Sequence, residues 1–317
     1  MTGRASLSVI LGTFNRLESL KRCIISIVAQ THSSLKIYVA DAGSTDGTVD
    51  YLTAIASNTI IPVLQGEKLG QARGYNALFR QVETPYVCWI SDDNEVVNHG
   101  LDVGIDLLES HRAVGMVGLK VADMQGPFAK APYIGGITAA GVLNINQGML
   151  RTEVLREVGY FSELFGLYGI DADLTTKVLY AGHDVVMTRA IALQHYRDWA
   201  DVSTDAGAKL KANQDRSLRI YKEKYASCIS DDPTWRLKKK LWDAVRARLG
   251  KRLSLNSREP IFGAIPRDWF NVLQARYISP LDPWIHALSA YHLRQRIPRR
   301  ELRSLKPLED SAIAATY

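Results

Sequence analysis

The chain has 317 residues, of which 46% are hydrophobic and 23% charged, with a formal net charge of +6. That describes a soluble globular protein with a real core, long enough for one large domain plus an appendage. The three cysteines, Cys23, Cys88 and Cys228, are odd in number and lack metal-ligand spacing, which excludes a disulfide framework and a cysteine metal site and reads as buried thiols of a reducing compartment.

Leu7, Val9 and Ile10 form a short apolar strand, too short and wrongly flanked for a secretory signal. The loop Gly12-Thr13-Phe14-Asn15-Arg16 follows, and Leu20, Ile24, Ile27 and Val28 mark one face of a helix over residues 19–30. Ile37, Tyr38 and Val39 give a second strand, ending in Asp41-Ala42-Gly43-Ser44-Thr45-Asp46-Gly47-Thr48. That loop is dense in turn formers, and Asp46 caps a helix beginning near Thr48. A third strand over residues 60–64 leads through a glycine-bearing loop into a helix over residues 72–81, with Arg73 in its first turn.

Tyr86, Val87, Trp89 and Ile90 then read as a strand buried on both faces, as in a parallel sheet. It ends in Ser91-Asp92-Asp93-Asn94. In an open α/β sheet, ligands bind beyond the carboxyl ends of the strands, so Asp92 and Asp93 fall at a cleft. Adjacent carboxylates repel unless a positive group lies beside them, and a divalent cation holding a diphosphate supplies that charge. The plain alternative is an acidic turn.

Further on, Leu101, Ile105 and Leu108 mark an amphipathic helix, and Met116, Val117 and Leu119 a strand. Residues 131–150 lack charge but contain Pro132 and four glycines, so they cannot span a membrane as a helix; their small residues suit the floor of a cleft. Gly148-Met149-Leu150-Arg151 leads into a helix that stops at Gly159. Asp171 and Asp173 precede a helix through Val178 and Leu179, a strand follows over residues 185–193, and His195 lies just beyond it.

These motifs resemble the family 2 glycosyltransferases, which have the GT-A nucleotide-sugar-binding fold. The resemblance rests on Val9-Ile10-Leu11-Gly12-Thr13-Phe14-Asn15-Arg16, Ser26-Ile27-Val28-Ala29-Gln30-Thr31, the Asp41 to Thr48 loop, Gly70-Gln71-Ala72-Arg73-Gly74-Tyr75-Asn76 and Ser91-Asp92-Asp93-Asn94, and continues from Gly148 to Gly182. It covers roughly residues 5–200. It implies an α/β fold with a mostly parallel, helix-flanked sheet, and an inverting transfer of sugar from a nucleotide-sugar donor to a glycan or lipid-linked acceptor, with Mn²⁺ or Mg²⁺. Thr13, Asn15, Asp41, Arg73 and Asp92 are the donor-binding candidates it points to, and Asp93 the likeliest metal ligand. Phe165-Gly166-Leu167-Tyr168-Gly169-Ile170-Asp171 resembles the acceptor-side motif, with Asp171 in the place of the catalytic base. His195 is a metal ligand on the resemblance and a hydrogen-bonded structural residue on its isolation. Likewise Asp41 is open between a nucleotide contact and a turn residue, and Arg73 between a diphosphate partner and an ordinary helix charge.

Two positions depart from the family pattern. The metal motif carries Ser91 where an acid is usual, and Ile170 replaces the usual Glu before Asp171. Both leave open an alternative of a different class, a catalytically inactive nucleotide-sugar-binding module. A dinucleotide oxidoreductase is excluded by the absence of Gly-x-Gly-x-x-Gly after the first strand.

Charge divides the chain into a catalytic domain, residues 1–221, and a basic helical region, residues 222–317. Residues 222–306 contain 19 Lys plus Arg against 8 Asp plus Glu, net +11, which leaves the remainder at −5. Asp232-Pro233-Thr234 starts a helix carrying Trp235 and Trp242 among Lys238, Lys239, Lys240, Arg246 and Arg248. This reads equally as an anionic membrane surface contact or as a helix packed on the catalytic domain. No nucleic-acid motif accompanies the charge. The expected location is cytoplasmic, with peripheral attachment to the inner face of the membrane as an option, and the setting is envelope-glycan synthesis.

Overall fold

The computed structural model describes residues 6–125, 132–133, 145–166, 168–188, 190–196, 204–226 and 307–315. The tryptophan-bearing basic segment, Cys228 and most of the 131–150 floor lie outside the described residues. Cys23 and Cys88 are buried free thiols.

The apolar runs form strands β1 (Ser6–Thr13), β2 (Ser34–Asp41), β3 (Ile60–Leu64) and β4 (Tyr86–Ser91), joined by helices α1 (Leu17–Ala29), α2 (Thr48–Ile55) and α3 (Gln71–Phe79). Next come β5 (Asn94–Val96), α4 (Gly100–Ser110), β6 (Val114–Gly118), β7 (Val121–Asp123), β8 (Pro132–Tyr133), β9 (Gly148–Arg151), α5 (Thr152–Glu157), α6 (Ile170–Tyr180), β10 (Asp184–Met187) and β11 (Leu193–His195). Two further helices follow, α7 (Asp205–Lys224) and α8 (Asp310–Ala314).

Seven strands make one sheet in the order β10-β6-β9-β4-β1-β2-β3. Only β9 runs against its neighbours. Residues of period two along each strand part to opposite faces. Thus Leu7, Val9 and Leu11 join one apolar cluster with Tyr86, Cys88 and Ile90, while Ile10 joins the other with Val87 and Trp89. Helices cover both faces, which leaves the carboxyl ends of β4, β1 and β2 as the open edge.

The 148–151 run leads into helix α5 as expected and is itself a strand, inserted antiparallel between β4 and β6. Residues 185–193 are not one strand. Beyond β10 the Thr188 hydroxyl accepts the Lys120 amide, and Ala192 and Leu193 amides donate to the Lys120 carbonyl. The chain thereby leaves the large sheet beside β6 and enters a second, four-stranded sheet of order β5-β11-β7-β8. His195 is therefore the last residue of a strand in that small sheet, not a residue after a strand of the main one.

The expected division at residue 221 falls within α7, whose Ile220 and Tyr221 join the core with Tyr225. The α8 segment packs there too. Ile313 is 1% exposed, Asp310 pairs with Lys224 Nζ at 2.6 Å, and its other oxygen accepts the Ser162 hydroxyl at 2.6 Å. Residues near the chain's end thus clasp the loop before α6. Ile313→Ala is expected to destabilise the protein by about 2–3 kcal/mol, the cost of emptying a buried aliphatic site. An unchanged urea midpoint would show that the clasp contributes nothing to folding. Among the described residues no helix is long and apolar enough to cross a membrane.

Candidate active site

Thr13 and Asp41 are register partners at the ends of β1 and β2, and Ser91 ends β4 beside Gly12. Asp41 is fully buried; its Oδ2 accepts the Gly43 and Ser44 amides at 2.9 and 3.0 Å, but its Oδ1 has no hydrogen-bond partner among the described residues. Thr13 Oγ1 is buried against the Asp92 carboxylate, which its hydroxyl helps to hold beside Arg16. An unpaired buried acceptor costs about 1–3 kcal/mol, so Asp41 Oδ1 at this sheet edge marks a place shaped for a ligand rather than for stability.

The floor at this edge depends on small residues. A Cβ on Gly12 would lie 2.9 Å from the Tyr75 ring, whose hydroxyl accepts the Gly12 amide and donates to the Ile90 carbonyl, both at 3.2 Å. Asn15 sits at φ +50°, a conformation asparagine tolerates. Its amide donates to Ser44 Oγ and its Oδ1 accepts the Thr45 amide, which ties the β1 loop to the β2 loop.

Immediately after β4, Asp92 and Asp93 share one cation: Arg16 Nη1 lies 3.0 Å from Asp92 Oδ1 and 3.1 Å from Asp93 Oδ2. On the other side, Asp93 Oδ1 lies 3.2 Å from His195 Nε2, and His195 Nδ1 lies 2.8 Å from Asp123 Oδ1. Burial alone would push the His195 pKa down, but the carboxylates of Asp123 and Asp93 override it and hold the imidazolium with a pKa of about 9. Burial raises Asp92 to about 6 against the pull of Arg16. For Asp93 the burial penalty is outweighed by His195 and Arg16, and its pKa falls.

This set fits a hard divalent cation. Asp93 Oδ1 and His195 Nε2 are at the roughly 3 Å spacing expected between neighbouring ligands about 2.1 Å from one ion. Asp92 adds a buried carboxylate beside Asp93, and Asp123 fixes the His195 ring as carboxylates do for metal-bound histidines. Arg16 supplies the compensating charge in this structure. Ser91 is withdrawn from such a role: Gln147 accepts its amide at 2.9 Å and donates to its hydroxyl at 2.8 Å.

Helix α6 precedes β10, which runs parallel to β4 through the sheet, so the helix's amino end lies at the same edge as Asp92. Gly169, at φ +92°, starts it, and Asp171 and Asp173 occupy its first turn. The two acids have different surroundings. Asp173 is fully buried and bound by Lys224 Nζ and the Tyr225 hydroxyl, each at 2.7 Å, with Lys177 at 3.5 Å. Asp171 is only partly buried. Arg73 does not turn toward the aspartates: it is 69% exposed and its Nε donates to Glu163 at 3.1 Å.

Arg16, Asp123 and Gln147 escape sequence reasoning. Arg16 is adjacent to Asn15 in the loop after β1, and that adjacency is the one signal the sequence offers for it. Asp123 ends a strand of three residues with no periodicity to announce it.

Comparison with known proteins agrees with this architecture. Residues 8–163 match the model of Glycosyl transferase family 2. The chain is 32% identical over 114 residues to an uncharacterized glycosyltransferase, alr2836, of Nostoc sp., covering 35% of each chain. It is 23% identical over 105 residues to the UDP-Glc:alpha-D-GlcNAc-diphosphoundecaprenol beta-1,3-glucosyltransferase WfaP of Escherichia coli, covering 33% of this chain and 42% of that protein. The matched stretches therefore span less than half of either relative. The crystal structure of GalNAc-T7 with UDP, GalNAc and Mn²⁺ superposes with a TM-score of 0.55 at 12% identity, over 72% of this chain and 51% of that one. That likeness bears on the fold alone, which is GT-A.

Proposed function

Residues 8–163 belong to glycosyltransferase family 2, and on that premise we propose that the protein transfers a sugar from a nucleotide-sugar donor to a hydroxyl acceptor with inversion. The observation that carries the donor site is the buried, unpaired Asp41 Oδ1, set on the same strand edge as Thr13 and the Asp92 carboxylate. Asp41 Oδ1 accepts a hydrogen bond from the base or ribose, and Asn15 holds the loop that frames it. Asp92 contacts ribose or diphosphate. Arg73 reaches the diphosphate only by leaving Glu163.

Asp93 and His195, with Asp92 beside them, would hold Mn²⁺ or Mg²⁺, which when bound offsets charge on the departing diphosphate. Asp171 takes the proton from the acceptor hydroxyl as its oxygen attacks the anomeric carbon from the side opposite the diphosphate. A lipid-linked glycan acceptor is supported by the activity in the WfaP name. Attachment of the basic residues 222–306 to an anionic membrane rests on their charge and tryptophans, and cosedimentation with anionic liposomes at low and high salt tests it.

The test is a thermal-shift screen of nucleotide sugars with and without Mn²⁺, since a ligand of the native state raises Tm through linkage. No shift with any donor would sink the reading. Ser91 and Ile170 favour one rival, an inactive binding module. That rival predicts a shift without donor hydrolysis or transfer, whereas the enzyme shows turnover that depends on Asp171.

Asp123 is a positioning residue in this scheme. Asp123→Asn is expected to weaken Mn²⁺ binding about tenfold or more, because the ring it orients loses its charged partner. Calorimetric affinity equal to the parent's would remove Asp123 from the site.

A further inference from the structure

A second group of metal-type side chains lies at the opposite end of the sheet. His32 and Ser33 immediately precede β2, whose far end carries Asp41; an eight-residue strand separates the two edges by on the order of 20 Å. His32, His99 and Asp102 there each offer one ligand atom, all within 4.8 Å of one another.

The three come from two parts of the chain that meet at this edge. His32 follows α1, His99 is the residue before α4, and Asp102 is in the first turn of α4. The imidazoles are exposed and stacked, with ring centroids 4.7 Å apart and planes 23° from parallel. His99 Nδ1 lies 3.0 Å from the Gln30 carbonyl oxygen. A carbonyl only accepts, so Nδ1 carries the proton and Nε2 bears the free lone pair. A hydrogen bond from one ring nitrogen to a carbonyl is what orients metal-bound histidines generally. Asp102 is buried and held by the His32 amide at 2.8 Å, the Ser33 amide at 3.1 Å and the Ser33 hydroxyl at 2.7 Å. Those bonds fix the carboxylate beside the two rings, where one of its oxygens is the third candidate ligand atom.

We propose that His32, His99 and Asp102 form a zinc-class cation site, separate from the sugar-transfer centre, that clamps the amino end of α4 to the turn after α1. Two imidazoles and one carboxylate, with a fourth position left to water, is a ligand set suited to Zn²⁺. Mn²⁺ and Mg²⁺ favour oxygen ligands. The 4.8 Å spread exceeds the roughly 3.3 Å between ligands of a tetrahedral zinc. His99 is held by the Gln30 carbonyl and Asp102 by Ser33, so binding draws in the exposed His32 ring.

The proposal is independent of the sugar-transfer reading, and the experiment keeps them apart. The full chain, stripped with a chelator, is titrated with Zn²⁺ by calorimetry alongside the variants His32→Ala, His99→Asn and Asp93→Ala. Asparagine is chosen because residue 99 has φ +49°, which it tolerates. The parent and Asp93→Ala are expected to share a zinc equivalent whose affinity falls at least tenfold in each histidine variant, and Zn²⁺ is expected to raise Tm only where that equivalent binds. Equal melting in chelator verifies that the histidine variants fold. Zinc binding in both histidine variants within tenfold of the parent overturns the site, as does its loss in Asp93→Ala alone.

Discussion

Asp171→Asn is expected to lower kcat about 100-fold or more and to leave donor affinity nearly unchanged. Asparagine keeps the shape of the side chain and cannot take a proton from the acceptor hydroxyl, so the loss falls on the transition state. A hundredfold is about 2.7 kcal/mol of barrier, within the range of a single general base. The fold should tolerate the change. The neighbouring Asp173, not Asp171, carries the buried pairing to Lys224 and Tyr225, and the helix starts at Gly169 whichever side chain stands at 171. The measurement is steady-state transfer to an acceptor beside donor binding by calorimetry. Transfer within a few-fold of the parent would assign proton removal elsewhere. A parallel loss of donor affinity would mean that Asp171 shapes the donor site.

The division of labour between Asp171 and Asp173 shows what a sequence can and cannot carry. Both acids stand in the first turn of one helix, where either suits the helix dipole. What separates them is burial against Lys224 and Tyr225, contacts across 51 and 52 positions of chain, with Asp310 pairing Lys224 from 86 positions further on. No local pattern encodes those. By contrast, the ends of β1, β2 and β4 were legible because apolar runs stop at turn-forming or acidic residues, and the parallel order of the strands then puts Thr13, Asp41 and Asp92 on one edge. Strand β9 was illegible because a run of four residues without alternation does not announce a strand. The break within residues 185–193 depends on Lys120 and Thr188, one of them outside that run. Likewise Arg16, 76 positions from Asp92, is placed by the topology of the sheet.

The pairing of Arg16 with both aspartates bears directly on the second large effect. Asp93→Ala is expected to abolish the Mn²⁺-dependent part of nucleoside-diphosphate binding, leaving the affinity seen in chelator. Asp93 is the one carboxylate that joins the two halves of the site, with Oδ1 toward His195 and Oδ2 toward Arg16. Its removal leaves His195 with Asp123 and Arg16 with Asp92. Neither charge is stranded, so the fold should survive and Tm in chelator should move little. The remaining donors, His195 Nε2 and Asp92, lack the oxygen that stood between them, and a hard cation bound through few protein oxygens loses most by losing one. Calorimetry with the nucleoside diphosphate that the donor screen identifies, in Mn²⁺ and in chelator, reads the difference. If the enhancement by Mn²⁺ persists in the variant, Asp93 is no ligand, and its contact with His195 is structural. If binding is lost with and without the metal, Asp93 serves the nucleotide through Arg16 instead, which the double variant Arg16→Ala/Asp93→Ala would reveal by costing no more than either single change.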